Sequence, residues 1–111
     1  MNAVAFRLEF PGARSVYPWN YYISTSVENT VSGFVQGLET DIGTGFDSFN
    51  LADRYVDEKI VDMQDFLKTH CANIPDYTTG NECVLSTEKA RRVLGYDPKP
   101  GGTYYSFDVM W

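Results

Sequence analysis

Histidine is almost missing from this chain: His70 is the only one in 111 residues. A single imidazole excludes most zinc sites and any catalytic arrangement that needs histidine at a second position. Cysteine is scarce as well, with only Cys71 and Cys83. The opening Met-Asn-Ala-Val-Ala-Phe-Arg lacks the basic-then-apolar layout of a secretory signal, so two free thiols in a reducing cytoplasm are expected. No apolar run approaches the ~20 residues that span a bilayer, and no membrane partner is expected. Positive charge is in deficit, nine Lys and Arg against fifteen Asp and Glu, and the net charge of −6 argues against nucleic acid or an anionic surface as partner. The Lys89-Ala-Arg-Arg92 cluster is too small to reverse that and reads as the wet face of a helix. No Gly-x-x-Gly-x-x-Gly follows a strand, so nothing cradles a pyrophosphate.

What is present suits one folded domain over residues 1–111. Hydrophobic residues make up 43% of the chain and aromatics 15%, which argues against extensive disorder. Residues 3–10 alternate, with Val4, Phe6, Leu8 and Phe10 on one face, and Pro11-Gly12 ends the strand. An aromatic loop, Val16 to Ile23, leads to Ser26, which opens a helix with Asn29 three residues on. Val31, Phe34, Val35 and Leu38 form the apolar face of that helix. Gly43-Thr-Gly45 is a turn, and Phe46 to Ala52 reads as a strand with Phe49 and Leu51 inward. Asp57 is expected to cap a second helix with Ile60, Met63 and Leu67 on one side, and Lys68 and His70 where its dipole favours positive charge. Cys83 to Leu85 is expected to be a short strand. Leu85 to Lys99 then spells out a helix: Ser86 or Thr87 to cap it, Glu88 in the first turn, Ala90, Val93 and Leu94 as the stripe, Gly95 and Pro98 to stop it. Residues 103–111 alternate again, with Tyr105, Phe107, Val109 and Trp111 together.

The last helix resembles the closing L-S-x-x-K-A-R-R-x-L-G-Y-x-P signature of NAD(P)-dependent epimerase/dehydratases, the extended short-chain dehydrogenase/reductases. Ala-Val-Ala-Phe-Arg-Leu at residues 3–8 resembles the strand after that family's active-site helix. Ser26-Val-Glu-Asn29 and Gly37-Leu-Glu39 resemble the start and end of its next helix. Phe46 to Asp53 resembles the strand usually written v-F-N-I-A. The matches run in family order over about residues 3–100, while the tail 101–111 diverges.

The resemblance implies an α+β fold of three helices and short strands, like the C-terminal lobe of such an enzyme without its Rossmann half. It implies a substrate-binding lobe that closes over a sugar nucleotide, catalytically incomplete as this chain. No cofactor is expected to bind here, although intact relatives use NAD(P). By position, Arg7, Glu9, Trp19 and Asn20 would lie nearest the substrate, with Tyr21 and Tyr22 completing an aromatic cluster. An orphaned strand 3–8 would pair with a second copy as a homodimer, or recruit residues 103–111. The alternative of another class is a small acidic protein-interaction domain, an inhibitor or immunity-type binder docking through its aromatic loop.

Three other constellations are read as structural. Tyr55-Val-Asp-Glu-Lys59 matches the Tyr-x-x-x-Lys of these reductases but falls some fifty residues too late, so it is read as a loop tyrosine and a first-turn lysine. His70 is read as a dipole partner. Glu58, Asp62 and Asp65 are read as a solvated acidic helix face rather than a cation site.

Overall fold

The computed structural model describes residues 2–8, 11–12, 21–43, 45–73 and 78–104. Five elements follow in chain order: β1 (Asn2–Leu8), α1 (Val27–Glu39), β2 (Gly45–Leu51), α2 (Met63–His70) and α3 (Glu88–Leu94). The fold is therefore α+β, with three helices and a small sheet among the described residues. β1 and β2 pair in parallel over seven residues, from Asn2 opposite Gly45 to Leu8 opposite Leu51. Strand 3–8 thus has a neighbour in its own chain along one edge. Parallel strands cannot be joined by a tight turn, and α1 is the crossover.

The main core lies where this pair meets α3. Phe49, Leu51, Ala90, Leu94 and Tyr96 are buried there, with Val4, Phe6, Leu8, Ile42 and Val93 packed against them. Alternation along the strands aims Phe49 and Leu51 inward, as their spacing predicts. Phe10 lies outside the described residues. α3 ends as its sequence spells out: Gly95 is left-handed at φ 74, and its N–H reaches the Arg91 carbonyl at 3.2 Å. Thr87 precedes the helix without a side-chain cap, and the Ser86 hydroxyl accepts from the Glu88 N–H instead, at 3.3 Å.

α1 begins where expected, with the Ser26 hydroxyl accepting from the Asn29 N–H at 3.1 Å. Its orientation differs from the expectation. The buried positions are Asn29, Gly33 and Gly37, whereas Val31, Phe34, Val35 and Leu38 are 56, 44, 41 and 87% exposed. The two glycines decide this. A Cβ on Gly33 would stand 2.3 Å from Leu51 Cδ1, and one on Gly37 2.4 Å from Phe6 Cζ. The helix rests on the sheet through bare backbone, which turns its apolar side chains outward. Phe34 is the partial exception, meeting Phe6 edge-on at 4.7 Å between centroids.

A second cluster of Val56, Met63 and Leu67 forms around α2. This helix starts later than predicted, at Met63, with Asp62 as its cap. The Asp62 carboxylate accepts from the N–H groups of Gln64 and Asp65 at 3.1 and 3.2 Å. Asp57 instead organises a separate turn, taking the Lys59 N–H at 2.9 Å. Asn81 separates the two, because its Nδ2 draws the carbonyls of Val56 and Val61 at 2.9 Å each and its Oδ1 accepts from the Met63 N–H at 2.9 Å. Asn81 also explains why Cys83 to Leu85 is no strand. Only one antiparallel bridge, Tyr55 with Glu82, forms there, flanked by single bonds from the Val56 N–H to Asn81 and from the Cys83 N–H to Arg54. The predicted strand 103–111 falls mostly outside the described residues. Thr103 docks on the start of α1, donating its N–H to Glu28 at 2.6 Å and accepting from the Val27 N–H at 3.0 Å. The Thr103 hydroxyl and N–H hold the Glu28 carboxyl below its ordinary value.

Candidate functional site

Beyond β2 the chain crosses a buried polar junction. Asp53 is 7% exposed, and its Oδ1 accepts from the Ser26 N–H and from Asn29 Nδ2, both at 2.8 Å. Its other oxygen takes the Tyr104 hydroxyl. Asn29 completes the junction by clasping the Lys99 backbone, accepting from its N–H at 2.9 Å and donating to its carbonyl at 3.1 Å. Tyr96 donates its hydroxyl to the Ala52 carbonyl at 3.0 Å, and burial pushes that phenol well above its ordinary range. Every polar group here has a partner, as buried groups require. A cleft of about 210 Å³ opens above the junction, with Asp53, Tyr55, Lys99 and Tyr104 in its wall.

A larger cleft of about 600 Å³ lies between α2 and the start of α3. Tyr21 forms one wall, and Cys71, Cys83, Arg54 and Arg91 contribute to the others. Tyr21 and Tyr22 both have left-handed backbones, φ 56 and 60. Such angles cost on the order of 1–3 kcal/mol for a non-glycine residue and persist only where surroundings enforce them. The enforcement comes from Phe66, whose ring meets Tyr22 at 5.3 Å and Tyr21 at 6.1 Å edge-on. His70 extends the stack, 4.8 Å from Phe66. Its role is thus packing at the end of α2.

Charge in the larger cleft is uneven. Glu82 turns to the chain beside it, accepting from the Thr79 N–H and hydroxyl at 2.8 Å each, and these bonds lower its pKa, with Arg54 and Arg91 adding to the effect. Glu88 pairs along its own helix with Arg92 at 3.5 Å. Arg91 Nε, by contrast, is buried without a hydrogen-bond partner. Cys83 lies in the floor, its thiol pushed up to about 11 by burial. Both cysteines are free, as expected.

The sequence-derived site is not assembled by the described residues. Arg7 stands exposed on β1, opposite Asn50, and lines neither cleft. Glu9, Trp19 and Asn20 lie outside the described residues, and Tyr21 alone of the aromatic cluster reaches a cleft. Tyr55 and Lys59 are exposed in a turn region, in keeping with their structural reading. Glu58, Asp62 and Asp65 do not share a helical face, since Asp62 is the cap and Glu58 sits in the turn before it. No group of three or more metal-ligating side chains occurs among the described residues. Sequence reasoning missed Arg54 and Asp53, and set Arg91 on the wet face of α3. One signal was available: Arg91 lies four residues after Thr87 and three before Leu94, both buried. No helix among the described residues is long and apolar enough to cross a membrane.

No protein-family model, curated protein or solved structure matches the chain.

Proposed function

We propose that this chain is the substrate-binding lobe of an NAD(P)-dependent sugar-nucleotide epimerase/dehydratase-like protein, catalytically incomplete by itself. The observation that carries the reading is the β1–α1–β2 unit with its outward apolar face. Parallel sheets occur almost only with both faces covered by other layers. Here the pair has two strands among the described residues, and Val31, Val35, Leu38 and Phe46 remain exposed. A unit of this kind suits one part of a larger α/β assembly. The resemblance of residues 3–8, 26–39, 46–53 and 85–99 to the extended reductases names which assembly. The cleft beside Tyr21 offers the substrate a place, and NAD(P) would belong to the other part.

Titration of the chain with UDP-, dTDP- and GDP-sugars, followed by amide NMR, tests the reading. Saturable shifts centred on Tyr21, Tyr22 and residues 82–91 are expected for at least one nucleotide sugar. Shifts for none of them would overturn it. The exposed α1 face also favours a second reading, a small acidic interaction domain. That reading expects no nucleotide-sugar shifts, and a protein partner whose binding is lost on Leu38→Glu.

A further inference from the structure

We propose that the cleft between Arg54 and Arg91 is a binding site for a small phosphate-class oxyanion. The inference stands on the cleft itself and survives the failure of the sugar-nucleotide reading. Its anchor is Arg91 Nε, a buried donor on a permanently charged group with no acceptor. A guanidinium cannot shed its charge as a buried lysine does, so an unpartnered buried N–H is a standing demand for an acceptor. The neighbouring acids do not meet it: Glu82 is engaged by Thr79 and Glu88 by Arg92. Arg54 brings a second guanidinium to the same cleft. It lies over the Tyr55 ring at 5.6 Å, which leaves its N–H fork at the ring's edge available to an anion. Two guanidiniums facing one water-filled space match the oxygens of a phosphate by charge and by geometry. The cleft holds about 600 Å³, room for an oxyanion and an organic group attached to it. The overall charge of −6 repels anions at long range, which makes this local reversal of sign more selective.

Isothermal titration of the full chain with sodium pyrophosphate and with inorganic phosphate, against sodium chloride at equal ionic strength, tests the site. Saturable binding of one or both oxyanions is expected. It should weaken about tenfold or more in Arg91→Met, which keeps the alkyl stem and removes the donors. Arg92→Met, on the same helix but paired with exposed Glu88, should bind like the original chain. Where Arg91→Met disturbs folding, seen as a lowered melting temperature, exposed Arg54→Met carries the test and should weaken binding as well. Absence of saturable binding, or equal binding by the original chain and both cleft variants, would overturn the proposal.

Discussion

Asn29 uses its whole side-chain amide. It joins the start of α1 to Asp53 beyond β2 and to Lys99 after α3, stretches that lie 24 and 70 residues away. Substituting it leaves the Lys99 N–H and one Asp53 oxygen lone pair without partners in a buried setting. An unmet buried group costs about 1–3 kcal/mol, so Asn29→Ala is expected to lose about 2–4 kcal/mol, read from the urea midpoint at constant slope. A loss under about 0.5 kcal/mol would show that water replaces the amide. The residue scale is also where the sequence was hardest to read. Asn29 was visible as part of a helix start, but its partners were not, because hydrogen bonds across 70 residues leave no local periodicity. Asn81 was read as loop for the same reason, although it separates the Asp57 turn from α2. Arg91 looked solvated because its helix face is mixed, and burial of one nitrogen is set by the neighbouring cleft.

At the scale of elements, the strands and the last helix were legible. Alternation places Phe49 and Leu51 inward, and the Gly95 stop is a local steric fact. α1 shows the limit of the method. Its apolar stripe was seen, but the packed face is the glycine one. Hydrophobic periodicity finds a stripe without saying what covers it, and a backbone-on-sheet contact can outcompete it through close approach. Gly37→Ala tests this. Helix propensity alone would favour alanine by about 1 kcal/mol. The new Cβ would fall 2.4 Å from the Phe6 ring, and overpacking costs about 1–3 kcal/mol. A net destabilisation near 1 kcal/mol is expected from thermal or urea unfolding. A net gain would mean that α1 lifts off the sheet freely.

For the whole molecule, the exposed side of α1 and the start of β2 dominate. Leu38 is 87% exposed and Phe46 71%, on a surface that also carries Val31 and Val35. A contiguous apolar patch of this kind marks an interaction surface. The free edge of β1 would add strand pairing to a second copy, as proposed from residues 3–8. Sedimentation velocity over a tenfold concentration range is expected to show reversible self-association, reduced by Leu38→Glu. A single monomeric species at every concentration would sink the homodimer.

The sequence by itself determined what lies within a turn or two of chain: strand faces, the Ser26 cap, the Gly95 stop, the free thiols, and the charge that argues against nucleic acid. These follow from backbone sterics, side-chain periodicity and net charge, all properties of neighbouring residues. Only the tertiary structure decided which side of α1 is buried, where α2 begins, how Asp53 and Asn29 bind three distant segments, and that two arginines face one cleft. Those outcomes depend on which residues far apart in sequence compete for the same space and the same hydrogen bonds. Such competition is resolved only when the chain is packed.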